Sequence, residues 1–121
     1  EFKQNTIEIL RGFDEIANVL DVAAQNVGYD IEVITKDGTH KYFEVKSVDN
    51  IGAPFSMTNN EFSAAVQYKE KYYLAIVNQS DNYIEICFIS DPINSLNMTK
   101  RVTKWEWYCN SYDGNYTKYI V

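Results

Sequence analysis

From Gly28 to Ser47 the chain reads GYDIEVITKDGTHKYFEVKS: two runs rich in Tyr, Ile, Val and Phe around a polar turn. Apolar and polar positions alternate with period two, and β-branched and aromatic residues dominate, which predicts a β-hairpin. The turn sets the register. A three-residue loop, Lys36-Asp37-Gly38, with Gly38 left-handed, pairs Thr35 with Thr39. Counting back puts Asp30 opposite Glu44, with Lys46 on the same face as Glu44. Tyr29, Ile31, Val33, Phe43 and Val45 then form the reverse, core face. The Asp30–Glu44–Lys46 face is expected to meet solvent. A two-residue loop at Asp37-Gly38 would instead separate Asp30 and Glu44 onto opposite faces.

The same reading extends to the rest of the chain. Phe2, Ile7, Ile9, Leu10 and Phe13 give a helical pattern ended near Gly12, with a second short helix expected over Phe13 to Asn18. Val19 to Ala23 reads as a first strand, and Gln25 to Gly28 as a loop into the hairpin. Val48 to Ser56, with Gly52 and Pro54, is irregular. Thr58-Asn59-Asn60-Glu61 opens a helix, because Thr58 can cap it and Glu61, three residues on, completes a capping box. That helix carries Phe62, Ala65 and Val66 and closes at Lys69-Glu70-Lys71. Tyr72 to Val77 is apolar without alternation, the mark of a strand buried on both faces. Asn78 to Asn82 is a turn, Tyr83 to Ile89 another strand, and Ile93 to Leu96 a helical turn after Asp91-Pro92. In the tail, Asp113-Gly114 predicts a turn between two short strands. Trp105, Trp107 and several Tyr there are expected to cover the sheet. The order helix, strand, hairpin, helix, strand, strand predicts an α/β (α+β) domain around one mixed sheet.

Length and charge narrow the function. The 121 residues suffice for one domain with a core. The start at Glu1-Phe2, without an initiator Met, suggests a piece of a larger protein. No long apolar run or signal peptide is present, so a cytoplasmic or nuclear location without membrane contact is expected. Cys87 and Cys109 lack CxxC spacing and are expected as free thiols, and His40 is the sole histidine, which leaves too few ligands for a Cys/His zinc site. The net charge of -6 counts against tight DNA binding by the domain alone. It leaves room for a site whose carboxylates are neutralised by divalent cations.

A carboxylate at one strand start, followed by E-x-K on the next strand, suits metal-dependent phosphodiester cleavage. Mg²⁺ or Mn²⁺ needs hard oxygen ligands, which Asp30, Glu44 and the Val45 carbonyl offer. The metal would polarise the phosphate and activate water. Lys46 would position or deprotonate that water, or offset charge on the phosphate. The plainer alternative is a solvated strand face bearing a Glu–Lys pair worth little. Glu61 reads as a cap residue rather than a ligand, Thr58 and Asn59 as cap residues, His40 as an exposed strand residue and Cys87 as core. Gln67 and Tyr68 lie on the helix after the E-x-K strand, where surface or core packing is the plainer role for either and approach to the site or the DNA the alternative. Lys100, Arg101 and Lys104 form the only local basic cluster and the expected phosphate contacts outside it.

The segments GYDIEV, YFEVKS, MTNNEFSAAVQY, KYYLAIV and SDPI resemble the C-terminal domain named after the plant protein NO VEIN. The resemblance spans roughly Phe13 to Ile93, with Phe43 where that family has Ile. The family resembles restriction-endonuclease-like nucleases of the PD-(D/E)xK superfamily. The resemblance implies an αβββαβ core with Asp30, Glu44 and Lys46 at the catalytic positions. It also implies a family helix opening with an acidic residue, which makes Glu1 a further acidic contributor. The leading expectation is a Mg²⁺-dependent DNA endonuclease domain within a larger restriction, defence or DNA-processing protein. The alternatives are a catalytically silent nuclease-like module that binds nucleic acid or a protein partner, and an acidic interaction domain.

Overall fold

The computed structural model describes residues 2–102, 106–111 and 117–120. Five strands form one mixed sheet in the order β1-β2-β3-β4-β5, and helices flank it on both sides. The first helix, α1, spans Phe2–Arg11 and turns Thr6, Ile7 and Leu10 inward. The hairpin joins β2 (Ile31–Thr35) to β3 (His40–Ser47). Helix α2 (Asn59–Tyr68) crosses from β3 to the parallel strand β4 (Tyr72–Gln79). Antiparallel β5 (Ile84–Ser90) follows, and then the single turn α3 (Pro92–Ser95). The mixed sheet with flanking helices is the architecture expected from the pattern.

The hairpin has the three-residue loop. The Thr35 amide donates to the Thr39 carbonyl at 2.9 Å, Gly38 sits at φ 88°, and Ile31 pairs with Phe43. The Asp30 amide continues the ladder by donating to the Phe43 carbonyl at 2.9 Å. Asp30 therefore lies at the β2 entrance, across from Glu44.

Two cores sandwich the sheet. Under α1, Ile7, Leu10, Val19, Ile31, Val33 and Phe43 pack together. Under α2, Ala64, Ala65, Tyr72, Leu74 and Ile76 do so. Strand β4 feeds both, which accounts for its unbroken apolar run.

Four expectations are corrected. The predicted helix over Phe13–Asn18 is strand: β1 spans Ile16–Asp21, and a short 3₁₀ turn covers Ala23–Gln25. A register shift between Ile16 and Asn18 explains the misreading. One extra residue at a bulge lets Ile16 and Val19 both face the core, and a spacing of three imitates a helix. Tyr29 does not share the face of Ile31. Gly28 at φ 93° turns the chain just before it, and Tyr29 packs on Tyr42 and Tyr68 beneath α2. The Asp30–Glu44–Lys46 face is not a solvent face either, because α2 covers it. The buried residues of α2 are only Ala64 and Ala65, while Phe62 and Val66 are exposed. Finally, the described tail aromatics do not cover the sheet, since Trp107 and Tyr108 are 91% and 83% exposed. The Asp113-Gly114 turn and Trp105 lie outside the described residues.

Candidate functional site

Asp30, Glu44 and Lys46 meet where the residue just before β2 faces the second half of β3, under the start of α2. The alternation of β3 puts Tyr42, Glu44 and Lys46 on one face. The Asp30 carboxylate accepts a hydrogen bond from the Val45 amide at 3.0 Å. In a strand a residue's N–H and C=O point to the same side, so the Val45 carbonyl faces this edge as well. The Lys46 ammonium lies 3.5 Å from Glu44 Oε2 and 2.6 Å from Glu61 Oε1. The side chains of Lys46 and Glu61 are each 17% exposed, and that of Glu44 is 8%.

Glu61 reaches this point because it is the third residue of α2. Its amide donates to Thr58 Oγ1 at 3.2 Å, and its Oε1 accepts the Thr58 amide at 3.0 Å. The predicted capping box is present. What the sequence reading missed is that the same carboxylate also holds Lys46. A T-x-x-E spacing signals the cap alone; the ion pair joins elements that only the fold brings together.

Glu44 is the electrostatic centre. Burial first, and then the neighbouring carboxylates of Asp30 and Glu61, push its carboxyl up to about 8 against the pull of Lys46. Burial also pushes the Glu61 carboxyl up, but its bonds to Lys46 and Thr58 outweigh that and hold it below the usual range. Tyr72, fully buried beneath α2, has its phenol raised by burial, and its hydroxyl donates to the Gly28 carbonyl at 2.8 Å. That bond ties β4 to the turn that presents Asp30.

The donor set is two carboxylates and one strand-edge carbonyl, all hard oxygens, which fits Mg²⁺ or Mn²⁺. Among the described residues no three His, Cys, Asp or Glu side chains form a metal cluster. A cation held here would rest on Asp30, Glu44 and the Val45 carbonyl, with water completing its shell. It would offset the cost of ionising buried Glu44 beside other carboxylates.

The remaining candidates stand apart. Gln67 is exposed on α2, and Lys100 and Arg101 are exposed on the segment after α3. None bonds to Asp30, Glu44 or Lys46. Glu1 and Lys104 lie outside the described residues. His40 pairs with Glu32 at 2.5 Å on the exposed part of the hairpin. Cys87 packs in the α2-side core and Cys109 is exposed; both thiols are free. Among the described residues no helix is long and apolar enough to cross a membrane.

No curated protein and no solved structure matches the chain. The family described as protein NO VEIN, C-terminal, matches residues 2–89, and the chain belongs to that family.

Proposed function

We propose that the chain is a divalent-metal-dependent DNA endonuclease domain of the PD-(D/E)xK kind, working within a larger restriction, defence or DNA-processing protein. The observation that carries this reading is the convergence of Asp30, Glu44 and Lys46 on one face of the hairpin, beside the start of α2. The element order α1-β1-β2-β3-α2-β4 contains the αβββαβ succession of that superfamily.

In this reading Asp30, Glu44 and the Val45 carbonyl hold Mg²⁺ or Mn²⁺. When bound, the metal supplies polarisation of the phosphate and an acidified water. The Asp30 side chain stays oriented by the Val45 amide. Lys46 supplies a fixed positive charge and proton donors at the face where phosphate charge builds. Helix α2 covers that face and limits water around Glu44. Exposed Lys100, Arg101 and Gln67, with Lys104, are the proposed contacts to the DNA. The net charge of -6 makes help from other domains of the parent protein part of the proposal.

One observation favours a silent binding module instead. The Lys46 ammonium is already taken by Glu61 at 2.6 Å. Plasmid nicking at low salt with Mg²⁺ or Mn²⁺ decides between the two readings, using the chain and the parent protein. Lys46→Ala is expected to lower the nicking rate by about a hundredfold or more. Equal residual nicking by wild type and Lys46→Ala would refute the enzyme reading. Absence of nicking by the parent protein would transfer the weight to the silent module.

A further inference from the structure

We propose that Glu61 is a positioning residue for the Asp30–Glu44 site: by holding the Lys46 ammonium at 2.6 Å it keeps that charge from closing nearer than 3.5 Å on Glu44, the carboxylate that would take a cation. The inference rests on the metal-binding reading above and concerns a residue that the chain pattern assigns to helix capping alone.

Lys46 has two anions within reach, and it favours one of them. Its ammonium is 2.6 Å from Glu61 Oε1 and 3.5 Å from Glu44 Oε2. Glu44 is two residues away on the same strand face, so the lysine needs no rearrangement to fold onto it. A lysine stem is flexible, and in a poorly hydrated pocket its charge settles on the strongest fixed anion. Glu61 is that anion. Both halves of the capping box pin it, with bonds of 3.0 and 3.2 Å to Thr58. It also sits in the first turn of α2, where the aligned peptide dipoles favour negative charge. Without this anchor the nearest anion to Lys46 is Glu44. An ammonium bound tightly to Glu44 competes with any cation for the same oxygens.

Calorimetric titration with Mn²⁺ tests this on the wild-type chain, Glu61→Gln, Lys46→Met and the double variant. Gln keeps the capping box, so the start of α2 should persist, and thermal melting checks that it does. Glu61→Gln is expected to weaken Mn²⁺ binding about tenfold, in line with the loss of an outer-shell partner. In the Lys46→Met background the same substitution should cost far less, because there is no ammonium left to misplace and only the charge of Glu61 beside Glu44 is lost. Unchanged affinity in Glu61→Gln would reduce Glu61 to a cap. A loss of full size in the double variant would show that Glu61 acts on the cation itself, by charge or as a ligand, and not through Lys46. Either result overturns the proposal while leaving the metal site standing. A wild-type chain that binds no Mn²⁺ overturns both.

Discussion

Glu44→Gln is expected to abolish nicking and, at the same time, to make the cation-free chain more stable at pH 8. The two effects have one origin. In the folded chain burial, together with the carboxylates of Asp30 and Glu61, raises the Glu44 carboxyl to about 8, against an ordinary value of 4.5. A group raised on folding contributes its full stability below the unfolded value and loses it as the pH climbs to the folded one. Cation-free wild type should therefore weaken steadily between about pH 4.5 and pH 8, by at most about 1.4 kcal/mol per pH unit. Gln carries no titrating proton and matches the neutral acid in shape, so the variant escapes the loss. Its advantage should grow to a few kcal/mol at pH 8 and vanish near pH 4. Cleavage fails because an amide brings no charge to hold a hard cation. Urea melts at several pH values, with chelator present, give the stability arm. Parallel pH curves for the two proteins would mean that Glu44 is not the group under strain.

Gly28→Ala is expected to destabilise the chain more than the same change at the other left-handed glycines among the described residues, Gly38 and Gly52. Gly28 lies at φ 93°, and a Cβ there would meet the Ala64 Cβ and the Asn60 carbonyl oxygen, each at 2.7 Å. Both are parts of α2 that cannot swing aside. The helix would have to move off the turn that leads into Asp30, and the bond from the Tyr72 hydroxyl to the Gly28 carbonyl would stretch with it. Backbone strain and overpacking together cost about 3 kcal/mol or more. Gly38 is the control. It has φ 88° and nothing within 4 Å of its added Cβ, so only the conformational cost of about 1 kcal/mol applies. Equal losses in Gly28→Ala and Gly38→Ala would show that close approach of α2 does not constrain the turn. Metal binding should also suffer in Gly28→Ala, because the turn positions Asp30.

The hairpin was legible in the sequence, and its register down to two choices of turn, of which the structure has the three-residue one. Gly38 accepts the left-handed backbone that a three-residue loop requires, and every pairing back to Asp30 follows by counting. The start of α2 was legible for a similar reason, since Thr58 and Glu61 satisfy amides within a single turn of chain. Local devices of this kind leave a local trace. Strand β1 left a misleading one, because its bulge converts a strand into helical spacing. The cover over the Asp30–Glu44 face left almost none. Helix α2 buries two alanines there while Phe62 and Val66 point outward, so its apolar pattern suggests the wrong face. For the same reason Lys46 reads as a solvated residue on β3, although Glu61, fifteen positions on, holds it in a pocket. Packing of small residues and ion pairs between distant segments are tertiary facts, and no periodicity encodes them.

The claim that Asp30 and Glu44 together hold a divalent cation has its most direct test in thermal melting with and without Mn²⁺. A ligand that binds only the folded chain stabilises it in proportion to the logarithm of its concentration, by about 2.7 kcal/mol at a hundredfold excess over Kd. At pH 8, where Glu44 is costly to ionise alone, millimolar Mn²⁺ is expected to raise the wild-type melting temperature clearly. It should leave Asp30→Asn and Glu44→Gln unmoved. A wild-type melting temperature that stays the same in millimolar Mn²⁺, or a rise that Asp30→Asn and Glu44→Gln share, would contradict the account.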